Sequence, residues 1–147
     1  MSHTYCAQFV HVVFSTKERR DLIPPNLEPR LIPYLAGTIR KLGLDSLAIG
    51  GTANHLHILM RLRPTMRVAE AVQKIKANSS RWLGERGIQF EWQKGYGVFS
   101  VSPSLLPTVT AYIEHQKEHR RTRTFEAEFL ALLRKSGVQF DEADALR

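Results

Sequence analysis

The order in which strand-like and helix-like segments follow one another is the feature that most constrains the fold of this chain. Residues 5–15 are rich in β-branched and aromatic side chains, which is typical of a buried strand. Apolar side chains then recur every four residues from Leu27 to Ile39, and this spacing predicts a helix that ends near Lys41. The chain therefore begins with a strand and an amphipathic helix.

The pattern continues with two strands joined by a turn, a helix between Pro64 and Gly84, and a fourth strand. We predict the strands at residues 46–50, 55–62 and 98–101, and later helices from about Leu105 or Thr108 to His119 and from Phe125 to Lys135. The resulting β-α-β-β-α-β order, with additional C-terminal helices that carry Tyr112, predicts a ferredoxin-like (RRM-like) α+β sandwich. Two helices would cover one face of its antiparallel sheet, and the other face would stay available for a ligand.

The length and composition of the chain predict a single folded domain. Its 147 residues match the usual size of one domain, and 43% hydrophobic with 24% charged residues is typical of globular proteins. We expect one domain over residues 1–147, with residues 124–147 as a C-terminal helix and acidic tail appended to it. Because there is one cysteine, no secretory signal and no long apolar run, we expect a cytoplasmic protein without membrane association.

The net charge of +7 points to an anionic partner. The excess is concentrated in residues 61–86, which hold seven basic and two acidic side chains. Residues 126–147 hold five acidic and three basic side chains, so the C-terminus has the opposite sign. We therefore expect the middle of the chain to face the anionic partner.

His55 and His57 flank Leu56 on a predicted strand, and they are the first candidates for chemistry. Residues two apart on a strand point to the same side, so both imidazoles could bind one metal ion while Leu56 faces the core. Two histidine ligands leave coordination positions open, as a catalytic metal site requires. Pairs of strand histidines without a metal are also common, so the pair alone leaves both interpretations open.

Tyr112 and Gln116 lie one turn apart on the helix after the last strand. His115 and His119 lie beside them, next to the packing face of that helix. By itself this pattern also fits an amphipathic surface helix. Together with the two strand histidines it describes a metal site beside a phenol, and a tyrosine oxygen can attack phosphorus while a metal ion polarises a phosphoryl oxygen.

Taken together, several segments resemble the single-tyrosine transposases of the insertion-sequence 200/605 type, members of the His-hydrophobic-His (HUH) endonuclease superfamily. The matching segments are residues 11–20, 54–59, 76–81 and 92–99, and the Tyr112-Ile113-x-x-Gln116 motif. This resemblance implies that Tyr112 attacks a scissile phosphate in single-stranded DNA, giving a 5′-phosphotyrosine and a free 3′-hydroxyl. It implies His55, His57 and Gln116 as ligands of a divalent ion, Mg²⁺ or Mn²⁺. It further implies a homodimer that recognises DNA hairpins at the ends of a mobile element.

Basic side chains could neutralise phosphates along a bound strand of DNA. The candidates are Lys17, Arg19, Arg20, Arg67, Lys74, Lys76, Arg81, Arg120, Arg121 and Arg123. Trp92, Tyr96 and Phe99 could stack on bases, but we expect at least two of them to pack in the core.

Two other functions fit the same sequence. One is a non-catalytic or domesticated nucleic-acid-binding protein with a ferredoxin-like fold, although the aromatic signature of RNA-recognition modules is absent. The other is a nickase of the replication-initiator or relaxase type.

Overall fold

The chain folds around a four-stranded antiparallel sheet in the strand order β2-β3-β1-β4. The structure is a computed structural model that describes residues 3–118 and 123–146. The strands are β1 (Gln8–Ser15), β2 (Asp45–Thr52), β3 (His55–Leu62) and β4 (Gly97–Val101). The helices are α1 (Glu28–Lys41), α2 (Val68–Glu85), α3 (Leu106–Glu114), α4 (Phe125–Lys135) and α5 (Glu142–Ala145). This order confirms the ferredoxin-like α+β prediction.

One face of the sheet packs against α1 and α2. Alternate residues of β1, such as Val12 and Phe14, join Leu56 and Ile58 of β3 and the apolar stripe of both helices in the main core. This arrangement confirms that Leu56 faces the core, because successive strand residues point to opposite sides.

The other face of the sheet is covered by α3 and α4, whereas the sequence predicted that it would stay available. Ile113 of α3 packs with Phe9 and Leu59, and residues of α4 pack with Val13 and Phe99. The close approach of α3 depends on Gly50, since a Cβ atom there would overlap the carbonyl oxygen of Ile113. The periodicity of the strands reveals which side chains share a face but not which later helix covers that face.

Most predicted boundaries lie within a few residues of the observed ones, and α4 has the predicted bounds. The third helix differs, because α3 ends at Glu114 and the backbone leaves the helical region at His115 before helical conformation resumes at Gln116. None of the helices within the described residues has both the length and the hydropathy that crossing a bilayer requires.

Candidate active site

His55 and His57 lie on the face of β3 that α3 and α4 cover. Both side chains are fully buried, and their rings meet edge to face with centroids 5.1 Å apart. The prediction that the two imidazoles share one side of the strand is therefore confirmed.

His55 lies between the end of α3 and the turn that precedes β3. Its Nε2 is 3.0 Å from Oε1 of Gln116, and its Nδ1 is 2.8 Å from Oδ1 of Asn54. The Nε2 group of Gln116 donates to the backbone carbonyl of Tyr112 at 3.2 Å. The break in the helix at His115 thus accompanies a buried Gln116 that reaches the strand histidines.

His57 is held from two sides, by residues that sequence reasoning did not select. Its Nδ1 is 2.7 Å from Nε2 of His11 on β1, and its Nε2 is 2.8 Å from Oε1 of Glu128 on α4. Both partners are buried. One feature of the sequence could have pointed to Glu128. It is an acidic residue three positions after Phe125, on the otherwise apolar buried face of its helix, where an unpaired charge is rare.

The charges of this cluster depend on one another. Burial raises the pKa of Glu128, but its interactions with His57 and Tyr112 and the smaller effect of His55 outweigh burial and bring the pKa to about 2. Burial and the interaction with Glu128 raise the pKa of Tyr112 above its ordinary value, against smaller opposite effects of Gln116 and then Arg123. Burial and then the charge of His57 lower the pKa of His11 to about 3. Near pH 7 the carboxyl is therefore ionised, while the phenol and the His11 ring are neutral.

These side chains form a donor set that could hold a divalent metal ion. The ligand atoms of His55, His57 and Glu128 lie within 4.8 Å of one another, and Oε1 of Gln116 is next to His55. Neighbouring ligands of an octahedral Mg²⁺ ion, at bonds of about 2.1 Å, are separated by about 3 Å. The spacing between His55 and Gln116 fits this geometry, and imidazole, carboxylate and amide groups suit such ions. Glu128 extends the three-residue ligand set that the resemblance implied.

Tyr112 lies beside the histidines, at the edge of a cleft of about 230 Å³. Its ring centroid is 5.6 Å from that of His57. The cleft is also lined by His11 and Glu128 and by two basic residues, Arg123 and Lys135. A phosphate that entered this cleft would meet a phenol and two cations.

The basic residues after β1 lie on a constrained loop near the histidines. Glu18 and Arg19 both adopt positive φ values, of 55° and 56°, and the side chain of Asn54 donates to the carbonyl of Arg19 at 3.2 Å. The Arg19 guanidinium contacts Glu126 at 2.8 Å and the carbonyl oxygen of Leu146. The two other predicted DNA-binding residues of this loop are Lys17, which pairs with Glu91 at 3.1 Å, and Arg20, which is exposed. The C-terminal segment thus contacts one of the predicted DNA-binding cations.

The basic residues of α2 lie across the sheet from the histidines. Arg67, which directly precedes this helix, and Lys74 and Arg81 on it are exposed, and the last two pair with Glu70 and Glu85 at 3.4 and 4.0 Å. Lys76 instead donates to the carbonyls of Gln93 and Gly95, at 2.9 and 2.6 Å, and burial lowers its pKa. Its ammonium group therefore anchors the loop before β4.

The remaining predicted DNA-contacting residues are the three aromatic residues and the basic residues after Tyr112, and some of them are buried while others are exposed. Trp92 and Phe99 are buried while Tyr96 is exposed, which confirms that at least two of the three aromatic residues pack in the core. Arg123 is exposed at the mouth of the cleft. Arg120 and Arg121 lie outside the described residues.

Comparison with known proteins identifies the family. The family model described as "Transposase IS200 like" matches residues 4–116, which is more than half of the chain. The chain belongs to the IS200-like transposase family. The matched segment includes Tyr112, Gln116 and both strand histidines of this transposase, whereas Glu128 lies beyond it.

Two solved structures share the fold of this IS200-like transposase at low sequence identity. A proposed transposase from Deinococcus radiodurans R1 is 21% identical, with a TM-score of 0.62 over 79% of this chain and 96% of that chain. A REP-associated tyrosine transposase bound to a REP hairpin is 14% identical, with a TM-score of 0.56 over 77% of this chain and 68% of that chain. None of the curated proteins compared with the chain matches it.

Proposed function

We propose that this IS200-like transposase cleaves and rejoins single-stranded DNA at the ends of a mobile element, with Tyr112 as the nucleophile. The observation that carries the proposal is the cluster in which Tyr112 and Glu128 line one cleft, the Tyr112 ring lies 5.6 Å from that of His57, and Glu128 contacts His57 at 2.8 Å. A phenol and a set of metal-ligating side chains thereby occupy one site. In our proposal, Mg²⁺ or Mn²⁺ is held by His55 and His57 with Gln116 and Glu128.

In the proposed reaction the Oη atom of Tyr112 attacks the scissile phosphorus. A new bond forms between Oη and phosphorus, and the bond from phosphorus to the 3′ oxygen breaks. Oη loses its proton and the departing 3′ oxygen takes one up, so the products are a 5′-phosphotyrosine and a free 3′-hydroxyl. Because the phosphotyrosine retains a phosphodiester bond, attack by a 3′-hydroxyl from another end rejoins the DNA without ATP.

Glu128 positions the nucleophile in this scheme. The hydroxyl of Tyr112 interacts with its carboxylate, which orients Oη before the attack. The divalent ion, when bound, supplies polarisation of a phosphoryl oxygen. Arg123 and Lys135, which line the same cleft, are placed to attract the phosphate.

The proposed substrate is single-stranded DNA with a hairpin near the cleavage site, and the proposed active form is a homodimer. A hairpin substrate is supported by the REP-associated tyrosine transposase, which has this fold and was solved with a REP hairpin. The net charge of +7 favours binding to a polyanion.

The proposal is tested by incubating the full chain with hairpin-bearing element-end oligonucleotides and Mn²⁺, followed by denaturing gel electrophoresis. We expect a denaturant-resistant protein–DNA adduct from the wild type and from the control Tyr96→Phe, and none from Tyr112→Phe. An equal yield from Tyr112→Phe would refute the nucleophile assignment. Binding without any adduct would favour the non-catalytic alternative, and nicking without joined ends would favour a nickase.

A further inference from the structure

His11 is a buried titratable residue of the site that the proposed reaction does not use. It lies on β1, one of the two central strands, and its exposed fraction is 3%. Its backbone partner on β3 is Leu59, so His57 is its diagonal neighbour on the same face of the sheet. This register brings the two imidazoles together.

The ring of His11 is fixed by the rings around it. Its centroid is 5.0 Å from that of His57 and 6.1 Å from those of Phe99 and Tyr112, which both meet it edge to face. Within this arrangement its Nε2 atom is 2.7 Å from Nδ1 of His57. Such a short contact between two ring nitrogens contains a proton that one of them donates.

The contact between His57 and Glu128 determines which nitrogen of His57 would face a metal ion. Nε2 of His57 is 2.8 Å from Oε1 of Glu128, the other proposed ligand. Coordination of an ion through Nε2 uses the electron pair of that nitrogen, so the ring proton of the neutral imidazole is then on Nδ1. Nε2 of His11 lies within hydrogen-bonding distance of this Nδ1, at 2.7 Å.

We propose that His11 is a positioning residue for the divalent-cation site. With the ion bound, it accepts the Nδ1–H of His57 and thereby fixes the ring with Nε2 directed toward Glu128. This inference rests on the proposed function, because it concerns the metal ligand His57. Histidine ligands commonly donate their second ring nitrogen to such a partner, and these partners affect metal affinity without touching the ion.

His55 shows the same arrangement with a different partner. Its Nδ1 is 2.8 Å from Oδ1 of Asn54, and its Nε2 is directed toward Gln116. Each strand histidine therefore has a polar partner at Nδ1 and a proposed ligand at Nε2. The parallel supports a positioning role for His11, since packing alone does not require a polar atom at that point.

The test compares His11→Met with His11→Gln in the full chain. The two side chains have similar length and flexibility, but glutamine offers an amide oxygen as a hydrogen-bond acceptor, whereas the thioether of methionine is only a weak acceptor. Mn²⁺ affinity is measured from the free-ion signal in electron paramagnetic resonance, and the melting temperature is measured in EDTA. We expect His11→Met to weaken Mn²⁺ binding about 10- to 100-fold, and His11→Gln to stay within about threefold of wild type.

Equal Mn²⁺ affinities for His11→Met and wild type would overturn the inference, as would equal weakening in both variants. If neither variant folds, the test is an NMR measurement on Mg²⁺-saturated wild type that carries ¹⁵N-labelled histidine. A nitrogen–nitrogen coupling across a hydrogen bond between His11 and His57 supports the inference, and its absence refutes it.

His57→Ala separates a failure of this inference from a failure of the proposed function. If His57→Ala binds Mn²⁺ as tightly as wild type, the proposed metal site is wrong. If His57→Ala loses binding while His11→Met retains it, the metal site stands and only the role of His11 is refuted.

Discussion

Acid should destabilise the metal-free protein through Glu128. The side chain is 4% exposed, and its interactions with His57 and Tyr112 hold its pKa at about 2, below the ordinary 4.5. Folding therefore favours the ionised carboxyl. The resulting stabilisation is fully present above the unfolded pKa, and it is lost as the pH falls through 4.5 toward 2.

The magnitude follows from the two pKa values. The gap between 4.5 and about 2 corresponds to about 3 kcal/mol of stability at pH 7. At pH 3 the unfolded carboxyl is almost fully protonated, and about 1 kcal/mol remains. The free energy of unfolding should thus fall by about 2 kcal/mol between pH 7 and pH 3 through this group alone.

Urea unfolding in EDTA measures this effect, because the buried indoles of Trp82 and Trp92 report loss of the core by fluorescence. The wild type is compared with Glu128→Gln, which cannot titrate, and with Glu126→Gln, a control on the same helix that pairs with Arg19. Between pH 7 and pH 3, the wild type and the control should lose about 2 kcal/mol more than Glu128→Gln. An equal loss in all three proteins would show that the carboxyl is not held in its ionised form.

Three further predictions test the proposed metal site, a close helix contact and the loop before β4. Mn²⁺ at 100 times its dissociation constant should stabilise the wild type by about 3 kcal/mol and leave His55→Ala unchanged, as measured by thermal unfolding. Gly50→Ala should cost about 1–3 kcal/mol, because the new Cβ would overlap the carbonyl of Ile113. Gly37→Ala, whose Cβ meets nothing within 4 Å, should be neutral or stabilising in the same urea titration. Lys76→Met should cost about 1–3 kcal/mol, because two loop carbonyls lose an ammonium donor, and hydrogen exchange should accelerate in that loop.

Local periodicity was sufficient to predict much of this fold. The two-residue alternation of β3 places His55 and His57 on one side because every strand imposes that alternation. The four-residue spacing of α1 predicts its buried stripe for the same kind of reason. Which side chains share a face of a strand or helix depends on residues a few positions apart, so this information can be read from the sequence alone.

Glu128 and His11 could not be inferred in this way, because their roles arise from contacts between distant segments. Glu128 meets His57 across 71 positions of the chain, and His11 meets the same ring across 46. The acidic excess of the C-terminal residues suggested a tail outside the site. A regional net charge, however, does not indicate which of its carboxylates is directed inward, and only the packing of α4 on the sheet brings Glu128 to the histidines.

For the basic residues, too, the charge of a region does not tell which side chains lie near the site. Arg67, Lys74 and Arg81 form an exposed stripe on α2, but the sheet separates α2 from Tyr112. Packed layers lie about 10 Å apart, and the Debye length at physiological ionic strength is about 8 Å. Cations on the outer surface of α2 are therefore well screened from a phosphate at Tyr112. The groups with a local effect are Arg123 and Lys135 in the cleft, and Arg123 already acts on the pKa of Tyr112. In the proposed reaction, the stripe on α2 can favour binding of a long DNA strand through its charge, whereas the residues that line the cleft are the ones placed to stabilise the reacting phosphate.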